Sequence, residues 1–212
     1  MVKDQVNDIT QRTRQYWFTD GLAELIAGIS FLLLGLYFYL QVVLPRASLA
    51  ANLLQAGFAL FIIGCVLLGK RTVQALKERL TYPRTGFVAY TRANPRYRWL
   101  SAGLAVGIAA MIASLIVSTP AAVDWLPAVT GLVVAAVWLV TAARVGLLRF
   151  YLLAIISIVL GLGLSFSGLG DTFGVACYYA SMGFALIFSG WTTLRSYLGQ
   201  KSLNSSLTDE YR

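Results

Sequence analysis

The sequence predicts an all-α polytopic membrane protein of six transmembrane helices arranged as three helical hairpins, with a small cytoplasmic β-hairpin between the second and third helices. Three observations lead there. Hydrophobic residues make up 58% of the 212 and charged residues only 12%, with mean hydropathy +0.71, outside the range of soluble domains. Six apolar segments, 21–40, 49–69, 99–119, 124–143, 150–167 and 172–192, each come close to the ~20 residues that cross a ~30 Å hydrocarbon layer. Within them the apolar residues run continuously rather than alternating, which selects helices over a barrel.

The chain divides accordingly into an amphipathic cytoplasmic N-terminal segment (1–18), a first transmembrane hairpin (19–69), a basic cytoplasmic connection (70–98), transmembrane helices three to six (99–192) and a cytoplasmic C-terminal tail (193–212). In the first part, Val2, Val6, Ile9, Tyr16 and Trp17 alternate with polar residues as in a short helix lying on a membrane surface. No cleaved signal peptide is expected, because Asp20 and Glu24 interrupt the first apolar run and no small-residue cleavage site follows it. The fifth segment, at 18 residues, is short enough for a bent or partly penetrating helix.

Placing the N-terminus in the cytoplasm puts every one of the 17 Lys and Arg residues except Arg46 on the cytoplasmic side. This positive-inside asymmetry supports an even number of spans and predicts a multi-pass protein of the inner (cytoplasmic) membrane with both termini cytoplasmic. It also accounts for the net charge of +8 without a nucleic-acid partner, and none is expected. The outer loops are short. In SGLGDT, Gly168 and Gly170 suit a helix end and Asp171 the cap of the next helix; Asp124, before Pro127, reads the same way.

KRTVQALKERL, residues 70–80, reads as a polar continuation of the second helix. LTY and FVAYT then read as two strands around a PRTG turn, ended by the proline of ANP. A lone hairpin is marginal in water, so this one is expected to rest on the headgroup layer, the N-terminal segment or a neighbouring subunit. Its arginines, Arg79, Arg84, Arg92, Arg96 and Arg98, are candidates for docking on anionic lipid headgroups or a partner.

Glycine recurs every seven residues at 21, 28 and 35, at 57 and 64, at 161 and 168, and at 183 and 190. Such a repeat lays a smooth stripe along a left-handed helix crossing, which makes Gly28, Gly35, Gly57, Gly64, Gly183 and Gly190 candidate packing positions. Gly103 and Gly107 instead have the spacing of right-handed pairs.

The chain has no histidine, two separated cysteines, no phosphate loop and no paired acidic motif for magnesium. No catalytic residue, metal site or cofactor is expected. Cys65 and Cys177 both fall within apolar segments, as small hydrophobes. Asp20 and Glu24 share a helix face, with Glu24 about 6 Å deeper. An acid inside a span is a functional candidate, and Ser101, Thr141, Ser157 and Thr192 at similar depth complete a possible ion or proton pathway with them. The competing reading places both acids at the positive end of the first helix, paired with arginines. Asn52 and Gln55 are polar residues of the outer half, expected to hydrogen-bond between helices. The expected function is a non-enzymatic scaffold or accessory subunit that self-associates or docks on a larger membrane complex. The alternative is a minimal channel or transporter for a cation, proton or small solute.

Overall fold

The computed structural model describes residues 18, 20–45, 48–80, 120–169 and 171–210, and those are all-helical. Six α-helices follow in order: α1 Leu22–Val43, α2 Leu49–Ala56, α3 Phe58–Leu80, α4 Leu126–Val145, α5 Leu148–Phe166 and α6 Thr172–Glu210, with a 3-10 turn at Pro120–Trp125 before α4. Five of them, all but α2, are long and apolar enough to cross a membrane. The protein is thus a multi-pass membrane protein, all-helical among the described residues. The expected span 99–119, the β-hairpin, Arg84, Arg92, Arg96, Arg98 and the segment 1–17 lie outside the described residues.

The helix boundaries have local causes. Asp20 accepts from the N–H of Leu22 through Oδ1 (3.3 Å) at the start of α1, and Ser48 caps α2 by accepting from Ala51 N–H (3.1 Å). Asp171 accepts from Phe173 N–H (2.9 Å) at the start of α6. Asp124, expected to cap the fourth segment, instead sits inside the 3-10 turn, and the N-cap position of α4 is Trp125. The free amide of Ala128 is taken by Ser165 Oγ from α5 (3.1 Å), a cap borrowed from the neighbouring helix. Gly146, at φ 74, closes α4 with its N–H on Ala142 O (2.7 Å), a left-handed geometry that glycine adopts without strain.

The second apolar segment is divided at Gly57. The ladder bonds Gly57 N–H to Leu53 O and Phe61 N–H to Gly57 O are both kept at 2.9 Å, so α2 and α3 behave as one rod with a glycine joint. The rod then continues through Leu80, as the sequence expects of residues 70–80. The fifth segment, expected to be short, forms the 19-residue α5, about 28 Å long and sufficient to cross. At the C-terminus, α6 does not stop at the membrane. Its 39 residues reach about 58 Å, so the stretch expected as a tail leaves as a continuous helix.

Two antiparallel pairs make up most of the bundle. In the first, Gly21 of the α1 entrance lies against Gly190, Gly28 against Gly183 and Gly35 against Ala176 and Ala180 of α6. A Cβ on Gly28 would stand 2.8 Å from Gly183 O, and one on Gly190 would stand 2.8 Å from Gly21 O, so backbone meets backbone along the whole crossing. In the second pair, Gly131 of α4 meets Gly161 of α5, with a Cβ on Gly131 only 2.7 Å from Ser157 O. The core fills the seam between the pairs. Ala142 and Val145 of α4, Phe150 and Leu153 of α5, and Tyr178, Met182 and Leu186 of α6 are buried together, with Phe18, Ala27 and Phe31 against them.

The α2–α3 rod packs on α1. Tyr37 stacks on Phe61 (5.0 Å), approaches Phe58 (5.1 Å) and donates its hydroxyl to Leu54 O (2.7 Å), while Gly69 lies against Ile26. Among the described residues Gly64 meets nothing, and Gly57 meets only carbonyls of its own preceding turn. Asn52 and Gln55 are exposed.

This packing gives the bundle two distinct ends. One carries the start of α1, the ends of α3 and α4 and the start of α5, and with them Lys70, Arg71, Arg144, Arg149 and Arg195. The other carries Asp124 and Asp171.

Candidate functional site

At the basic end, Glu24 points into the bundle from the first turn of α1 and is only 2% exposed. A charge taken out of water needs partners. Arg149, in the first turn of α5, supplies the main one, with Nε 3.0 Å from Glu24 Oε1. The Nε–H is not aimed along that line, so the contact is an ion pair rather than a hydrogen bond. Glu24 Oε2 accepts from Ser189 Oγ on α6 (2.7 Å).

The guanidinium reaches further. Nη1 donates to Thr193 Oγ1 (2.7 Å), Thr193 donates onward to Ser189 O (2.8 Å), and Nη2 donates to the backbone carbonyl of Phe18. Arg149 therefore ties the entrance of α1, the first turn of α5 and the end of the apolar part of α6 to one another. Beneath it lies an aromatic floor. The Arg149 guanidinium carbon is 5.2 Å from the Phe150 ring centroid, Phe150 stacks on Trp138 (5.7 Å), and Phe18 meets Phe150 edge-on (5.4 Å).

The turn that delivers Glu24 depends on Gly21. Its φ of 68 is left-handed, and a Cβ there would stand 2.5 Å from Gly190 O and 2.9 Å from Thr193 Cβ. Glycine is needed twice over, once for the turn and once for the approach that brings Thr193 to the guanidinium. Asp20, just before it, is also buried and lies within Coulombic reach of both Glu24 and Arg149.

The other residues of the expected pathway are placed differently. Thr141 donates to Val137 O on its own helix (2.8 Å), and Thr192 is exposed and bonds back to Phe188 O (3.0 Å). Ser157 sits deeper in the seam in a second polar contact. Tyr178 O–H donates to Ser157 Oγ (2.6 Å), and Ser157 donates to Gly131 O (2.8 Å), a sense fixed by the carbonyl, which can only accept. All three groups are satisfied with no water needed. Ser101 lies outside the described residues. Arg79 falls in the last turn of α3. Ser189, Thr193 and Tyr178 carry polar contacts that the sequence reading did not single out.

Among the described residues no three His, Cys, Asp or Glu side chains come together as a metal site requires. Cys65 and Cys177 are free thiols, each partly buried. No family model matches the chain, and no curated protein or solved structure is similar to it. Glu24 has one carboxylate oxygen on a guanidinium and the other on a hydroxyl, so a cation entering here would have to displace Arg149. The arrangement is suited to holding three helices in register.

Proposed function

We propose that the protein is a non-enzymatic scaffold or accessory subunit of the inner (cytoplasmic) membrane, associating with copies of itself or docking on a larger membrane complex. The observation that carries this reading is the commitment of both Glu24 oxygens, one to Arg149 and one to Ser189, within a 2% exposed site. The acid with the strongest claim to transport is thereby a joint between helices. The basic end, with Lys70, Arg71, Arg144 and Arg195, supports a cytoplasmic orientation of that end and attraction to anionic lipids, each cation adding about 1 kcal/mol near a charged leaflet. The finer topology belongs to the same reading: six crossings, with both termini at the basic end.

Native mass spectrometry of the protein released gently from its own membrane tests the proposal. A foreign subunit at fixed ratio, or a homo-oligomer, is the expected result; a monomer retaining neither protein nor lipid would sink it. The channel or transporter reading makes a separate demand. Purified protein in proteoliposomes should then carry a cation or proton flux that Glu24→Gln abolishes. The committed carboxylate predicts no Glu24-dependent flux.

A further inference from the structure

The outward face of α6 differs in kind from those of α4 and α5. Along their middle those are aliphatic, with Leu132, Val137 and Val140 exposed on α4 and Leu152, Ile155 and Val159 on α5. On α6 the large exposed side chains toward the basic end are Phe184, Phe188 and Trp191, at 65%, 71% and 58%, with Arg195 exposed one turn beyond. At about 100° per residue these four fall within about 60° of one another. They form one stripe, turned away from Gly190, which faces Gly21, and from Ser189 and Thr193, which serve the Arg149 site.

The contact of Gly190 with Gly21 sets the depth of the stripe. Trp191 stands level with the entrance of α1, Phe188 and Phe184 lie about 4 and about 10 Å toward the middle of the span, and Arg195 about 6 Å outward. The order from outside inward is a cation, an indole and two phenyl rings. A phospholipid presents its phosphate, its ester carbonyls and its acyl chains in the same order, and an indole at headgroup level offers both an apolar ring and an N–H donor. Among the described residues Arg195 has no ion pair, whereas the charge of Arg149 is met by Glu24.

We propose that the stripe of Phe184, Phe188, Trp191 and Arg195 binds one anionic phospholipid of the leaflet at the basic end, its phosphate on the Arg195 guanidinium, its carbonyl region against Trp191 and an acyl chain along Phe188 and Phe184. Side-chain size favours a lipid over a second protein helix. Close helix packing needs small residues, and the glycines of this stretch, Gly183 and Gly190, are already engaged by α1. Three large rings hold a rigid helix at a distance, while acyl chains mould to them. Charge selects the headgroup: a zwitterionic lipid carries its own ammonium beside the phosphate and gains less from an unpaired guanidinium. The inference deepens the attraction to anionic lipids proposed above by naming its site, and rests on that reading.

The test places the full chain in phosphatidylcholine vesicles containing, as a minor component, phosphatidylglycerol with a photoactivatable diazirine in one acyl chain, and maps the labelled positions by peptide mass spectrometry. Labelling concentrated on Phe184 and Phe188 is expected, reduced on the order of fivefold by Arg195→Gln but not by Arg195→Lys or by Arg144→Gln elsewhere on the basic end. The same diazirine carried on phosphatidylcholine should label the stripe no more than Val137 of α4 or Val159 of α5. Phosphatidylglycerol labelling spread evenly over Phe184, Val137 and Val159, or unchanged by Arg195→Gln, would overturn the proposal. So would a stripe that neither lipid labels, with Phe188→Cys forming disulfides between copies, which would give the face to a second copy of the chain. Both leaflets of the vesicle hold the probe, so the result does not depend on orientation. Subunit mass from native mass spectrometry reports on the scaffold reading separately: a labelled stripe on a monomer would keep the site and count against the scaffold, and a homo-oligomer without selective labelling would do the reverse.

Discussion

Replacing Arg149 with methionine keeps the aliphatic length of the side chain and removes the guanidinium. The variant loses the 3.0 Å ion pair to Glu24, the bond to Thr193 Oγ1 and the bond to Phe18 O, and leaves a 2% exposed carboxylate with Ser189 as its remaining described hydrogen bond. Breaking a buried pair from one side costs about 3–5 kcal/mol. Because 20% of the Arg149 side chain remains exposed, solvent already screens part of the interaction, and about 2–4 kcal/mol is the expected loss. Glu24→Leu strands the guanidinium instead, which can turn toward the headgroups, so its loss should be smaller, about 1–3 kcal/mol. The double variant Glu24→Leu, Arg149→Met removes both charges and should stand within about 1 kcal/mol of the parent. Equilibrium unfolding in bicelles by steric trapping, applied to all four proteins, gives the coupling energy directly. A coupling of at least about 2 kcal/mol is expected, since even the smallest single losses together exceed the double variant's by that much. Single variants within about 0.5 kcal/mol of the parent, with additive effects, would refute the view that this pair holds the helices together.

Three further outcomes follow from other contacts. Gly183→Leu places a side chain where a Cβ already stands 2.9 Å from Leu32 Cγ and 3.0 Å from Gly28 O, and should cost about 3 kcal/mol or more by prising α1 from α6. Gly163→Ala on the open side of α5 should instead raise stability by about 0.5–1 kcal/mol, and equal effects of the two in an unfolding assay would contradict the packing described. Ser157→Ala strands the Tyr178 hydroxyl in the seam, while Gly131 O keeps its backbone bond within α4; Tyr178→Phe leaves Ser157 its carbonyl partner. The first should cost about 1–3 kcal/mol and the second about 0.6–1, an order that the same assay can reverse. Asp171→Ala removes the bond to Phe173 N–H and should cost about 0.5–2 kcal/mol, while Asp171→Asn should retain most of it, as measured by thermal unfolding in detergent.

Much of the fold is legible because lipid imposes it. Hydrocarbon leaves no partner for a backbone amide, so apolar runs of the right length declare themselves as helices, and the five span-length helices fall on five of the six expected segments. The boundaries are less legible. Gly57 reads as one of a packing stripe, yet it joins two helices, and Asp124 reads as a cap, yet α4 borrows Ser165 from 37 residues away. Local sequence names the unsatisfied amide but not the distant side chain that takes it. The candidate site shows the same division. Glu24 stands out as an acid in an apolar run, but its partner lies 125 residues on, in an RFY cluster of the kind that membrane interfaces select anyway. A signal for the rest was present in the glycine repeats. Once Gly21 is set against Gly190 and Gly28 against Gly183, Glu24 falls between them, and Ser189 is the hydroxyl within its reach.

That register also says why charge is kept in the seam. Within each pair, α1 with α6 and α4 with α5, glycine brings backbones together, and a slip of one turn would drive side chains into carbonyls. Between the pairs the contact is made by Phe150, Leu153, Met182 and Leu186, residues that pack acceptably in several registers and gain little over lipid tails. Two polar links cross this permissive surface, Arg149 with Glu24 and Thr193 at the basic end and Ser157 with Tyr178 deeper in. A displacement of α5 by one turn, about 5.4 Å, would break both at once, leaving the Tyr178 hydroxyl without Ser157 and Glu24 with Ser189 but without its countercharge. The hypothesis that the pair specifies register more than it adds stability has its own signature. The double variant Glu24→Leu, Arg149→Met should unfold at the parent's free energy yet give broadened spin-label distances between α5 and α6. A distribution as narrow as the parent's would assign register to the apolar contacts and to Ser157 alone.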